Sequence, residues 1–179
     1  MTIAPGHVIW LFGLSGAGKS TLAGALAEAL RARGVAVLTL DGDQLRAGLC
    51  RGLGYSEADR AENLRRAAEV ARLAADSGLG VIASFITPLE TNRRLVREII
   101  GRDRLTLVHV AASLEICHQR DIKGLYARAQ QGGLAQMTGI SSPFEAPGGA
   151  DLTLDTGIET PALSSQKLLA HVLPRFIRA

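Results

Sequence analysis

A chain of 179 residues, 47% hydrophobic and 21% charged, is long enough for one domain with a buried core, and its composition excludes a disordered protein. The net charge of +3 is weak and scattered, and 4% aromatic residues argue against a nucleic-acid-binding surface. The N-terminus lacks a signal-peptide pattern, and no apolar run approaches the roughly 20 residues that span a bilayer. We therefore expect a cytoplasmic protein with no membrane partner. Cys50 and Cys117 lack metal-ligand spacing, which predicts two reduced thiols.

Apolar runs and helical stretches alternate along the chain. Strands are predicted at residues 7–13, 35–41, 80–86, 105–112 and 150–156, and helices at 19–33, 57–77, 89–101 and 160–173. The strand runs are nearly continuously apolar, which is typical of strands buried on both faces of a parallel sheet. The alternation predicts an α/β fold, with a doubly wound parallel β-sheet flanked by helices, in a single domain covering residues 1–179. Trp10 lies inside the first strand and is predicted to be core.

The first predicted strand leads directly into GLSGAGKST at residues 13–21. This stretch matches the P-loop, and the strand before it and the helix after it are the context that the motif requires. The backbone N–H groups of a P-loop surround phosphate, its Lys bridges the β- and γ-phosphates, and its Ser hydroxyl binds Mg²⁺. The sequence therefore predicts a P-loop NTPase-type fold with ATP and Mg²⁺ as ligands. The residues predicted to bind them are Gly13, Leu14, Ser15, Gly16, Ala17, Gly18, Lys19, Ser20 and Thr21, with Lys19 catalytic and Ser20 on the metal.

Carboxylates follow the second predicted strand, at Asp41 and Asp43. Ligands of open α/β sheets gather at the carboxyl ends of the strands, so we expect Asp41 and the P-loop to face the same crevice. A carboxylate there can orient the acceptor hydroxyl, take its proton, or hold a water of the Mg²⁺ shell. Two interpretations of Asp43 remain open, a substrate contact and the N-cap of the next helix.

The predicted helix at residues 57–77 has two different faces. At 100° per residue, an apolar stripe is formed by Leu64, Ala68, Ala71 and Ala75, and the opposite face carries Glu62, Arg65, Arg66 and Glu69. Arg60 and Asn63 border the stripe in the first turns of the helix, so we interpret them as acceptor ligands facing the crevice.

Residues 123–149 interrupt the pattern with six Gly and two Pro and no strand-like run. A long irregular insertion in a compact domain is more often a functional lid than scaffold, so a lid is predicted here. A loop without function is the alternative.

With these motifs, the chain resembles the adenylyl-sulfate kinases (APS kinases), which transfer the γ-phosphate of ATP to the 3′-hydroxyl of adenosine 5′-phosphosulfate (APS). The resemblance rests on the P-loop, DGDQLR, DRAENLRR, SFITP, RDIKGLYARA, TGISSPFEAP and LTLDT, and so spans nearly the whole chain. It implies an ATP-dependent kinase of sulfate assimilation that produces PAPS and ADP. It also implies a homodimer and a possible association with a sulfate adenylyltransferase.

The resemblance implies residue roles as well. Asp41 would be the catalytic and metal-binding carboxylate beside the 3′-hydroxyl, and Lys123 would reach phosphate from the lid. Tyr55 would stack on the acceptor adenine, where the family usually has Phe, while Arg120 and Thr156 would border the ATP adenine. The remaining acceptor contacts would be Asp43, Arg46, Arg60, Asn63, Phe85, Ile86, Thr87, Pro88 and Met137, with Thr87 also among the catalytic residues.

The chain departs from the family pattern at Met137, where Phe is usual, at Thr87, where Ser is usual, and at residues 50–52. Phosphorylation of APS is the leading hypothesis, and these departures are the reason for a second one, a kinase of the same fold that acts on a different nucleotide-like acceptor. A third hypothesis is a non-catalytic nucleotide-binding partner of a sulfate-activating enzyme. It is disfavoured because the proposed working residues are all present: Lys19, Ser20, Asp41, Arg46, Arg60 and Asn63.

Overall fold

The computed structural model describes residues 2–3, 6–121, 124 and 138–178. The strands are β1 (Thr2–Ile3), β2 (Val8–Phe12), β3 (Val37–Asp41), β4 (Gly80–Phe85), β5 (Leu105–Ala111), β6 (Leu152–Asp155) and β7 (Ile177–Arg178). The helices are α1 (Lys19–Arg31), α2 (Gly42–Ala47), α3 (Glu57–Asp76), α4 (Glu90–Ile100), α5 (Leu114–Arg120) and α6 (Pro161–Phe176), with a 3₁₀ turn at Arg102–Arg104. Each predicted strand and helix is present with bounds shifted by a few residues. The short helices α2 and α5 were not among the predicted ones.

A five-stranded sheet forms the centre of the molecule, in the order β3-β4-β2-β5-β6. All of its pairings are parallel, and Trp10 in the central strand lies between Ala83 on β4 and Leu107 on β5. Parallel neighbours must be joined by crossovers, which the helices supply. The predicted doubly wound parallel sheet is therefore confirmed. Outside this sheet, β1 and β7 pair antiparallel.

Alternate residues of the strands supply two apolar layers, one on each face of the sheet. On one face, Ile9 and Leu11 pack in a cluster with buried residues of α1 and α6, such as Leu26 and Leu168. On the other face, Trp10 packs in a cluster with residues of α3 and α4. The predicted Ala-rich stripe of α3 lies in this second cluster, and Trp10 is fully buried, as predicted.

Both cysteines, Cys50 and Cys117, are buried free thiols, as the sequence predicted. Burial raises the pKa of the Cys50 thiol, which keeps it protonated and unreactive. In the part of the chain that the structure describes, no helix combines the length and the apolar composition that crossing a bilayer requires.

Candidate active site

The P-loop connects β2 to α1 at the carboxyl edge of the sheet. Gly16 and Gly18 adopt positive φ angles of 82° and 96°, which favour glycine. At Gly16 there is also no room for a side chain, since a Cβ atom would lie 2.9 Å from the carbonyl oxygen of Cys117 on α5. The shape of the loop therefore depends on its own glycine backbone and on the neighbouring backbone of α5. A phosphate-binding nest is likewise formed by backbone groups.

The ammonium group of Lys19 lies over this loop. Its Nζ atom donates hydrogen bonds to the carbonyl oxygens of Gly13, at 3.0 Å, and Leu14, at 2.7 Å. These bonds hold the positive charge at the mouth of the nest, where phosphate oxygens would bind.

Asp41 meets the P-loop in the crevice, as predicted. Its Oδ2 atom accepts hydrogen bonds from the hydroxyl of Ser20, at 3.0 Å, and from that of Ser84, at 2.8 Å. Its Oδ1 atom accepts the backbone N–H of Asp43 at 3.0 Å, so Asp41 is the N-cap of α2. The alternative that Asp43 caps this helix is therefore wrong, and the exposed Asp43 side chain lies in the first turn.

Sequence reasoning missed Ser84. It lies on β4 directly opposite Asp41 on β3 in the parallel register, and this pairing brings its hydroxyl to the carboxylate. A serine near the end of an otherwise apolar strand was the available signal.

The last predicted ATP contacts, Arg120 and Thr156, also lie against the P-loop. The Thr156 hydroxyl lies 2.7 Å from the carbonyl oxygen of Ala17 and 3.0 Å from that of Ala111. Arg120 donates to the carbonyl oxygen of Thr156 at 2.6 Å and reaches that of Gly16 at 3.4 Å. The structure thus joins both residues to the phosphate-binding loop. It does not place an adenine, so that part of the prediction stays a prediction.

Two arginines and an aromatic ring form a cluster on the acceptor side. The guanidinium carbon of Arg46 lies 4.5 Å from the ring centroid of Tyr55, and that of Arg60 lies 5.6 Å from it. Arg60 also donates to the backbone oxygen of Tyr55 at 2.8 Å and to the Thr138 hydroxyl at 3.1 Å. Burial, and then the charge of Arg46, lower the pKa of Arg60. Two neighbouring cations with a 55% exposed aromatic ring suit an anionic ligand that carries a base.

Asn63 lies one helical turn from Arg60 and is 5% exposed. Among the described residues, its Oδ1 atom is the buried side-chain oxygen or nitrogen that has no hydrogen-bond partner. A buried polar atom without a partner is costly, and a ligand donor would satisfy it. This geometry agrees with the interpretation of Asn63 as a ligand.

The predicted acceptor residues after β4 form a tight corner at residues 86–88. Phe85 is 4% exposed and stacks on Trp10 with ring centroids 4.9 Å apart. The carbonyl oxygen of Ile86 accepts the N–H of Gly13 at 3.3 Å, which ties the corner to the P-loop. Pro88 is buried, and its carbonyl oxygen accepts the N–H of Glu145 at 2.9 Å.

Thr87 lies in this corner, but its side chain is not where the predicted catalytic role requires it. It is 1% exposed, and its hydroxyl accepts a hydrogen bond from the indole N–H of Trp10 at 2.9 Å. A hydroxyl engaged inside the core is not presented to a substrate, so we withdraw the catalytic role and retain Thr87 as part of the corner. Lys123 and Met137, the remaining predicted contacts, lie outside the described residues.

Comparison with known proteins gives one consistent family. Residues 5–155 match the family model described as adenylylsulphate kinase. An adenylyl-sulfate kinase of Shewanella denitrificans is 50% identical over 165 residues, which cover 92% of this chain and 80% of that protein. The solved structure of a Mycobacterium tuberculosis APS kinase in complex with AMPPNP and APS has a TM-score of 0.91 at 39% identity, covering 95% of this chain and 99% of that one.

A hexameric APS kinase from Thiobacillus denitrificans is 30% identical with a TM-score of 0.73. The match covers 98% of this chain and 30% of that longer chain. The similarity therefore extends to a relative with a larger chain and a multi-subunit assembly.

Proposed function

This chain belongs to the adenylylsulphate kinase family, and from that premise we propose that it transfers the γ-phosphate of ATP to the 3′-hydroxyl of adenosine 5′-phosphosulfate, giving PAPS and ADP. The observation that carries the proposal is the 3.0 Å contact between Ser20 of the P-loop and Asp41 at the end of β3. It joins a donor-phosphate site and an acceptor carboxylate in one crevice, which in-line phosphoryl transfer requires.

On the donor side, the backbone N–H groups of the P-loop bind the phosphates, and phosphate oxygens replace the carbonyl partners of Lys19. Lys19 then stabilises the negative charge on the transferred group, as do the preorganised amides around it. Arg120 and Thr156 brace the loop from the α5 side and border the bound nucleotide.

Magnesium prefers oxygen ligands, and the Ser20 hydroxyl and Asp41 carboxylate supply a neutral and a charged oxygen beside the nest. These residues fit the ion and would hold it directly or through water. When bound, Mg²⁺ neutralises charge on the phosphate oxygens.

On the acceptor side, Asp41 orients the 3′-hydroxyl and takes its proton. The hydroxyl of Ser84 and the N–H of Asp43 keep the carboxylate oriented for that task. Arg46 and Arg60 bind the phosphosulfate as paired cations, and Asn63 accepts a hydrogen bond from the ligand.

The acceptor pocket is completed by an aromatic ring and the corner after β4. The exposed ring of Tyr55 stacks on the acceptor adenine. Phe85, Ile86, Thr87 and Pro88 shape the wall, and the lid at residues 123–149 brings Lys123 and Met137 to the ligand.

A panel of acceptors tests the proposal. The purified chain is incubated with ATP, Mg²⁺ and either APS, adenosine monophosphate or another nucleotide, and ADP release is followed together with the phosphorylated product. We expect turnover with APS and its loss in Lys19→Ala. Turnover of a different nucleotide in place of APS would support the second hypothesis, and ATP consumption that never exceeds the Lys19→Ala background would support a non-catalytic partner.

We further propose a single domain acting as a homodimer in the cytoplasm. The free thiols of Cys50 and Cys117 support a reducing, cytoplasmic compartment, and the hexameric relative supports assembly as a property of the family. Light scattering after size exclusion tests the assembly, because a monomer mass would contradict it. Association with a sulfate adenylyltransferase is tested by copurification of the two proteins.

A further inference from the structure

The corner at residues 86–88 has a backbone conformation that needs support. Thr87 has φ of 43°, in the left-handed region that residues other than glycine rarely adopt. This conformation is unfavourable for a β-branched residue and persists only where its surroundings hold it. The contacts around the corner therefore decide its shape.

Part of that support comes from the sheet. The indole N–H of Trp10 is bonded to the Thr87 hydroxyl at 2.9 Å, and the N–H of Gly13 is bonded to the Ile86 carbonyl oxygen at 3.3 Å. These two bonds fix the corner from the side of β2 and the P-loop. The carbonyl oxygens of Thr87 and Pro88 share a further donor.

Arg93, on α4, is that donor, although it is 0% exposed. Its Nη1 atom donates to the carbonyl oxygens of Thr87 and Pro88, both at 3.1 Å. Its Nη2 atom donates to the carbonyl oxygen of Glu145 at 3.2 Å, and its Nε atom to the Glu90 carboxylate at 2.8 Å. Each of its three nitrogens therefore donates to a protein oxygen, which is how a buried guanidinium is tolerated.

The same cluster reaches Glu145, near the end of the predicted lid segment. The N–H of Glu145 donates to the Pro88 carbonyl oxygen at 2.9 Å, and the Glu145 carboxylate accepts the N–H of Glu90 at 2.5 Å. Hydrogen bonds from Arg93, and then from Arg97, lower the pKa of Glu90. The Glu90 carboxylate therefore stays ionised at the start of α4, next to the corner. The corner, the start of α4 and residue 145 thus form one hydrogen-bonded unit around a single guanidinium.

We propose that Arg93 is a positioning residue for the acceptor. It fixes the 86–88 corner in the shape that APS binds, and it holds that corner to the end of the lid segment at Glu145. Arg93 acts through the backbone of Thr87 and Pro88, because its own donors are directed to protein oxygens. This inference rests on the proposed function, since it concerns the acceptor of that reaction.

The test compares Arg93→Lys and Arg93→Met with a matched control, Arg97→Met. Arg97 lies one turn further along α4, pairs with the same Glu90 at 2.8 Å, and donates to the Gly149 carbonyl oxygen at 2.7 Å. The control therefore removes an ion pair and a backbone contact from the same helix. For each variant, KM for APS, KM for ATP, kcat and Tm are measured.

Lysine keeps the positive charge, but its single ammonium group cannot reach all four oxygens that the planar guanidinium of Arg93 contacts. We expect KM for APS to rise about tenfold or more in Arg93→Lys, because small misplacements of a binding wall are costly, with KM for ATP within about twofold of the parent. Arg93→Met should raise KM for APS at least as much and lower Tm, whereas Arg97→Met should leave both KM values near the parent.

Three results would overturn the inference. These are parental KM for APS in Arg93→Lys, an equal rise in both KM values, or an Arg97→Met variant that matches Arg93→Lys. If Arg93→Met fails to fold, Arg93→Lys still decides between a positioning role and a structural one. Failure of the proposed function would look different, because the parent protein itself would not turn over APS.

Discussion

The donor side of the crevice is formed mainly by backbone, and the acceptor side mainly by side chains. The donor side is backbone in a fixed loop, and its Lys19 already has two oxygen partners. The acceptor side depends on long side chains, and it retains an exposed ring at Tyr55 and an unpartnered buried oxygen at Asn63. The donor side is therefore complete before ligand arrives, whereas the acceptor side reaches full hydrogen bonding only with ligand present.

Asp41 joins the two sides, so its replacement should have the largest effect. Asp41→Asn keeps the size of the side chain, and the Ser20 and Ser84 hydroxyls can rotate to accept from the new amide. We expect kcat to fall by about 10²–10⁴-fold, as for the loss of a catalytic base, with KM for ATP little changed. Both parameters are measured from initial rates of PAPS formation at varied ATP concentrations.

The matched control for this substitution is Asp76→Asn, which makes the same chemical change at an exposed carboxylate at the end of α3. It should leave kcat near the parent value. A loss of less than about tenfold in Asp41→Asn would remove the general base from the mechanism.

Asn63→Leu tests whether the acceptor side is incomplete without ligand. Leucine has the same number and branching of side-chain heavy atoms and removes the unpartnered oxygen, so Tm should stay the same or rise. KM for APS should rise by about 10–100-fold, because a hydrogen bond in a buried site is lost. Thermal denaturation and steady-state kinetics give the two readouts. A lower Tm with unchanged KM would instead make Asn63 a structural residue.

A pair of glycine substitutions tests whether the donor side is set by its backbone. Gly16→Ala forces a side chain into a positive-φ position 2.9 Å from the Cys117 oxygen, so we expect a loss of at least about 1 kcal/mol in unfolding free energy and a higher KM for ATP. Gly24, on α1, has open space around its Cβ position. Gly24→Ala should therefore gain about 0.5–1 kcal/mol. Chemical denaturation compares the two, and equal changes would contradict a backbone-determined loop.

The ring of Tyr55 should have the smallest effect, since it is 55% exposed. Tyr55→Ala should raise KM for APS by about fivefold, at the lower end of the stacking energies of exposed bases. Tyr55→Phe keeps the aromatic face and should stay within about twofold of the parent. A large effect of the phenylalanine variant would mean that the hydroxyl, rather than the ring face, contacts the acceptor.

The sequence predicts those features whose information is local. The P-loop is a contiguous motif. The long strands are recognised by continuous apolar runs, and the long helices by a 3.6-residue period. The position of Arg60 and Asn63 at the border of the apolar stripe of α3 was also predicted, from the geometry of the helix. The two-residue strands β1 and β7 and the short helices α2 and α5 are too brief to carry a period.

The missed parts of the site depend on contacts between distant residues. Ser84 reaches Asp41 only through the register of β3 and β4. The buried Thr87 hydroxyl is bonded to the indole N–H of Trp10, which lies 77 residues earlier. Arg93 belongs to an amphipathic helix, and nothing in the local pattern distinguishes it from the partly exposed Arg97 that follows it. Such roles are set by tertiary packing, which single-sequence patterns do not encode.

The order of the sheet has a consequence for how the protein is made. The P-loop strand β2 precedes its sheet partners β4 and β5 in the chain, and the P-loop, α1, β3, α2 and α3 all lie between β2 and β4. Pairings that distant in sequence close large loops and form slowly. The phosphate-binding loop is therefore synthesised before the two strands that fix β2 in the sheet, and the apolar residues of β2 lack those partners until β4 and β5 have been made.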